Sequence, residues 1–129
     1  MASYTAGHKA ETVSFPRRGD IYLVNFDPTA GAEMRKTRPA LVIQNDIANR
    51  HSPITIVAAI TSRFEAPPYP TEVVIEPGES GLSQRSATLL NQVRSVDRKR
   101  LVKRIGRAGP AAMQQVDQAI RISMGLVRL

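Results

Sequence analysis

The chain has 129 residues, 42% apolar and 22% charged, the size and composition of one globular domain. It has no Cys, which excludes disulfide frameworks, thiolate metal sites and cysteine nucleophiles; 18 Lys and Arg against 11 Asp and Glu give a net charge of +7. The longest purely apolar run, residues 56–60, is too short to cross a membrane, and residues 1–15 lack a basic start followed by an apolar stretch. A cytoplasmic protein is expected.

Residues 1–15 are polar and aperiodic and are expected to be a flexible arm, with residues 16–129 forming one domain. Residues 21–26 are β-branched and aromatic and follow a Gly19-Asp20 turn, so they predict the first strand. Asp27-Pro28-Thr29 ends it, and the segment that follows to Thr37 carries Gly31 and no apolar period, which predicts a long loop. Residues 39–44 predict a second strand with Pro39 at its start, and Asp46 a cap for a short helical turn through Asn49. Residues 54–60 predict a third strand buried on both faces. Residues 65–70 are Pro-rich and cannot join a ladder. A fourth strand follows over 72–76, and a fifth over 87–91, with Val93 and Val96 as its extension.

Two helical segments complete the pattern. Asp97 precedes a short basic one that Gly106 would stop, and Pro110 opens a terminal helix ended by Gly125. Met113, Val116, Ile120 and Met124 share one face of that helix, as plain core contacts. The expected fold is mainly β with helices, a strongly curved antiparallel sheet or small barrel with a C-terminal helix packed on it.

The charge is uneven. Residues 85–107 hold Arg85, Arg94, Arg98, Lys99, Arg100, Lys103, Arg104 and Arg107 against Asp97 alone, while the rest of the chain balances. Such a stripe suits a polyanion, most simply nucleic acid, or is a solvated face. There is no Walker-type phosphate loop and no dinucleotide fingerprint, and His8 and His51 are isolated, so no metal site is expected. What remains is arginine, hydroxyl and carboxylate chemistry. Arg38 opens the second strand, and the third ends in Thr61-Ser62-Arg63, so neighbouring strand ends would bring Arg38 and Thr61 to one sheet edge. A guanidinium and a hydroxyl together can hold a phosphate and stabilise charge that builds on it. Phe64 and Tyr69, in or beside the Pro-rich loop, are candidates for stacking on bases; Tyr69 is equally a candidate core or dimer contact.

Four stretches carry a family resemblance: residues 18–28 (RGDIYLVNFDP), 31–46 (GAEMRKTRPALVIQND), 52–62 (SPITIVAAITS) and 86–101 (SATLLNQVRSVDRKRL). In order and without a large gap, they resemble the MazF/PemK toxins of bacterial toxin–antitoxin systems, a likeness that runs on through the terminal helix. The resemblance implies the small CcdB/PemK-like, SH3-like barrel and a homodimer. It implies a metal-independent, sequence-selective endoribonuclease acting on single-stranded mRNA without a cofactor. It implies a catalytic pair at Arg38 and Thr61, and substrate contacts from the loop of Gly31, Glu33 and Arg35, from Ser62 and Phe64, and from Gln92 and Arg94. The implied partner is an antitoxin whose acidic, disordered tail folds onto the toxin. Many relatives have Ser where this chain has Ala32 and an acid where it has Asn91, departures that bear on the recognition sequence more than on cleavage. Glu33 is a candidate general base, or a structural partner of Arg35 or Arg38. The alternatives are a toxin of related fold that inhibits DNA gyrase, and a non-catalytic nucleic-acid-binding module.

Overall fold

Alternation of β-branched and polar residues builds a six-stranded sheet in which every neighbouring pair is antiparallel. A computed structural model describes residues 15–27 and 37–128. The strands are β1 (Asp20–Asn25), β2 (Thr37–Val42), β3 (Ile54–Thr61), β4 (Glu72–Ile75), β5 (Ser86–Asp97) and β6 (Leu101–Arg107). Their order across the sheet is β4-β5-β3-β2-β1-β6. Helix α1 (Asp46–His51) joins β2 to β3, and α2 (Pro110–Ser123) packs across β4 and β5. Residues 1–14 of the expected arm and residues 28–36 of the long loop before Thr37 lie outside the described residues.

Both faces of the sheet are apolar in part. Consecutive residues such as Ala40 and Leu41, or Val57 and Ala58, are fully buried on opposite faces. One cluster joins Ile21, Leu41, Ile60, Val73 and Leu90 to Val116 and Ala119 of α2. The other joins Val24, Ala40, Val42, Val57 and Val96, with Tyr22, Phe26 and Leu101 packed against it. The third strand is thus buried on both faces at its centre, while Ile54 at its start is exposed. Register shifts bend the sheet: β6 shifts twice against β1, and β5 shifts against β3 where Ala58 faces Val93 but Ala59 faces Leu89.

Several elements differ from the expectation. The N-cap of α1 is Asn45, whose Oδ1 accepts from the Ala48 N–H at 2.9 Å; Asp46 lies in the first turn. Met124 is 53% exposed and does not complete the core stripe of α2, because Gly125, at φ 74°, turns the chain away there. The basic segment after Asp97 is not a helix. It makes one 3-10 turn, Arg98–Arg100, and then becomes β6. Short-range charge pattern hides this, since only pairing with β1 makes it a strand.

Gly106 therefore does not stop a helix. A Cβ there would lie 2.3 Å from the Glu79 carbonyl oxygen and 2.4 Å from that of Ser80. At Gly81, with φ +76°, a Cβ would lie 1.8 Å from the Ile105 carbonyl oxygen. Two side-chain-free positions let residues 79–81, beyond edge strand β4, cross against the other edge strand, and the Arg107 N–H donates to the Glu79 carbonyl at 2.9 Å. Gly106→Ala should force these backbones apart and cost about 2–3 kcal/mol, read as a lower urea midpoint at unchanged slope. Thr88 offers a contrasting test, since its hydroxyl is fully buried with no hydrogen-bond partner. Thr88→Val should be neutral or stabilising by up to about 1 kcal/mol in the same assay, because no bond is lost and an unsatisfied group is removed.

Candidate active site

The β2–β3 ladder pairs Val42 with Val57, Leu41 with Ala58 and Ala40 with Ala59, and goes no further. The next residue of β2 is Pro39, which has no N–H to give. Continuing the same register sets Pro39 opposite Ile60 and Arg38 opposite Thr61, at a mouth where the two strands no longer bond. Arg38, Pro39, Ile60 and Thr61 line one groove of about 500 Å³. Leu82, Ser83, Gln84 and Ser86, between the chain crossing and β5, form its other wall. No local sequence pattern marks this wall, which the crossing at Gly81 and Gly106 brings into place.

Among the described residues Arg38 makes almost no bond to the fold, whereas the Thr61 hydroxyl holds its own turn. Arg38 is exposed, and its guanidinium makes only a long contact, 3.3 Å, to the carbonyl of its neighbour Thr37. Thr61 is half-buried; its hydroxyl accepts from the Arg63 N–H at 3.0 Å and lies 3.4 Å from the Arg63 carbonyl. That turn aims residues 61–63 outward, with Ser62 and Arg63 exposed. One groove thus holds an accessible guanidinium and a strand-end hydroxyl, donors of the kind that suit an oxyanion. Among the described residues no three His, Asp or Glu side chains cluster as a metal site.

Thr61 and Arg63 also border a second groove of about 660 Å³. The Pro-rich loop forms one side of it, with Phe64 and Tyr69, and Asn91 and Gln92 of β5 form the other. Of the candidates from the sequence, Arg38, Thr61 and Ser62 meet in the first groove, and Phe64 and Gln92 join Thr61 in the second. Arg94 joins neither. It lies beyond the β5 shift, beside Asn25, Phe26 and Arg100, with its guanidinium 5.0 Å from the centre of the Phe26 ring. The shift explains the separation, since it carries Asn91 and Gln92 to one place and Arg94 to another. Gly31, Glu33 and Arg35 lie outside the described residues.

Comparison with known proteins agrees with this architecture. The sequence profile of the PemK-like, MazF-like toxins of type II toxin–antitoxin systems matches residues 17–124. The chain belongs to this family. It is 42% identical over 111 residues to Endoribonuclease EndoA of Bacillus subtilis (strain 168), covering 86% of this chain and 96% of that protein. MazF from Deinococcus radiodurans superimposes with a TM-score of 0.68 at 30% identity, over 88% of this chain and 99% of that one. A mycobacterial endoribonuclease solved with its cognate antitoxin shares the fold, with a TM-score of 0.72 at 23% identity over 88% and 99% of the two chains. The family match spans both grooves, the bent sheet and α2.

In this MazF-like toxin Arg38→Ala should leave folding stability within about 0.5 kcal/mol of the parent in urea titrations, and Thr61→Ala, which loses the bond from the Arg63 N–H, should cost no more than about 1.5 kcal/mol. Such a result would allow any loss of activity in these variants to be read as chemistry.

Proposed function

We propose that this toxin is a metal-independent endoribonuclease that cuts single-stranded mRNA at a preferred sequence. The observation that carries the reading is the open strand mouth, where Arg38 faces Thr61 across a groove without being tied into the fold. Its membership of the toxin family and its 42% identity to Endoribonuclease EndoA support it. Neither a gyrase-inhibiting toxin nor a passive binding module has an evident use for such a pair.

RNA supplies its own nucleophile. The 2′-oxygen attacks the adjacent phosphorus, the 2′-O–P bond forms and the P–O5′ bond breaks. The 2′-hydroxyl proton passes to a base and the departing 5′-oxygen gains a proton, giving a 2′,3′-cyclic phosphate and a 5′-OH. Arg38 neutralises charge growing on the non-bridging oxygens, and Thr61 donates its hydroxyl to the phosphate. Glu33 is the candidate base for the 2′ proton, or else a structural partner of Arg35 or Arg38. The exposed Lys99, Lys103 and Arg107 steer the strand in, with affinity falling as salt rises. The cationic surface equally suits an acidic, disordered antitoxin tail, and the toxin acts as a homodimer.

The test is to incubate the purified chain with a long single-stranded RNA in excess EDTA and map the ends. Discrete cuts bearing 2′,3′-cyclic phosphate are expected, slowed about 10²–10³-fold in Arg38→Ala and in Thr61→Ala. Glu33→Gln should lower the rate if Glu33 is the base and leave it unchanged if Glu33 is a structural partner. RNA binding with no cleavage by the parent chain would instead favour the passive module.

A further inference from the structure

Two arginines line the first groove, and the cleavage chemistry uses only one of them. Arg63 lies two residues beyond Thr61, and it shares with Thr61 a place in the lining of both grooves. Its N–H donates to the Thr61 hydroxyl at 3.0 Å, so its backbone is fixed to the end of β3. Its side chain is exposed, and among the described residues its guanidinium has no carboxylate, carbonyl or ring as a partner. Other arginines are committed: Arg18 to Asp117, Arg85 to Glu76, Arg104 to Asp20 and Arg94 to the Phe26 ring.

The two grooves differ in charge. Arg38 and Arg63 line the first, and none of its described lining residues is acidic. Glu65 and Glu72 line the second, where Arg63 is the one cation among the described lining residues. The Tyr69 N–H donates to the Glu72 carboxylate at 3.0 Å and keeps that negative charge in place. Every nucleotide of a strand brings a negative phosphate. A phosphate deep in the second groove would meet two like charges and no cation, which is unfavourable at any effective dielectric. The cationic positions open to consecutive phosphates are therefore Arg38, inside the first groove, and Arg63, on the ridge between the two. The planar fork of a guanidinium bonds two phosphate oxygens at once, which fixes geometry as well as adding attraction.

We propose that Arg63 is a phosphate clamp: its guanidinium takes the phosphate adjoining the scissile one and so holds the strand with the scissile phosphate at Arg38 and Thr61. This rests on the endoribonuclease reading. No bond forms or breaks at the neighbouring phosphate, so the contact is the same in the ground state and the transition state. Its loss therefore falls on KM and not on kcat. A side-chain substitution at Arg63 leaves in place the N–H that bonds the Thr61 hydroxyl, so it tests the guanidinium alone.

The experiment uses a short single-stranded RNA spanning one mapped cut site, and copies in which each phosphate in turn is replaced by an uncharged methylphosphonate. The parent chain, Arg63→Ala and Arg63→Lys are compared. Arg63→Ala should raise KM about 10- to 100-fold, the range of a hydrogen bond between charged groups, with kcat within about 3-fold of the parent. Arg63→Lys, which keeps the charge and loses the fork, should fall between the two. The slope of log KM against log salt should become shallower by about 0.7 in Arg63→Ala, the share of one phosphate on a single strand. One methylphosphonate, at a linkage next to the scissile one, should weaken the parent by the same factor and Arg63→Ala not at all. A parental KM and salt slope in Arg63→Ala overturn the clamp. So does a fall in kcat at unchanged KM, which would put Arg63 on the scissile phosphate itself, and so does an Arg63→Ala variant that keeps the parent's sensitive linkage. Absence of cutting by the parent chain overturns the endoribonuclease reading instead.

Discussion

The structure depends on one crossing of bare backbone. Residues 79–81 press against residues 105–107 closely enough that neither Gly81 nor Gly106 has room for a Cβ. The contact does two things at once. It ties the segment beyond β4 to the end of β6, through the bond from the Arg107 N–H to the Glu79 carbonyl, although β4 and β6 themselves do not pair. It also sends residues 82–86 back across the molecule, where they become the second wall of the Arg38–Thr61 groove. Leu82 enters the core on this path, and Ser86 begins β5. The sheet stays open, not a closed barrel as expected, and the groove is a consequence of this one crossing between its edges.

Charge follows a similar logic, in which much of the apparent excess is committed to structure. Arg104 lies 3.1 Å from the buried Asp20 carboxylate, Arg18 bonds Asp117 at 2.7 Å, and Arg100 donates to the Asp27 carbonyl. Burial, then the neighbouring Asp20 carboxylate, push the Tyr22 phenol above its usual range, while Arg104 and Arg98 oppose this. Tyr22 thus stays neutral where β1 meets β6. The Arg85–Glu76 pair is largely exposed on both sides and adds little stability. The cations left over at Lys99, Lys103 and Arg107 are fewer than the linear count implies, and they sit on a 3-10 turn and a strand, not on one helix face.

What was legible in the sequence had a local cause. Alternating β-branched residues marked β1, β3 and β4, Pro110 and Gly125 bracketed α2, and the placement of Arg38 before Pro39 and Thr61 at a strand end brought those two together. What was not legible came from distant contacts. The run after Asp97 reads as a helix because its apolar residues are few and its charges many, and only the β1 register and the crossing at Gly106 make it β6. Arg94 reads as a neighbour of Gln92, yet the β5 shift separates them and leaves Arg94 against Phe26. A register shift leaves no mark that periodicity can detect, because Leu89, Leu90 and Val93 keep an apolar spacing on either side of it.

The same shift separates two jobs that a nuclease must reconcile. Arg38 and Thr61 stand on the β2–β3 mouth, whose geometry is set by the ladder below Pro39. Asn91 and Tyr69 stand on the β4–β5 side, where their geometry is set by the bonds of Leu90 and Glu72. Only the ridge at Thr61 and Arg63 belongs to both grooves. A substitution at Asn91 alters the lining of the second groove without touching the β2–β3 ladder that sets the Arg38–Thr61 mouth. The fold can therefore change the lining of one groove while the strand ends that carry Arg38 and Thr61 keep their places.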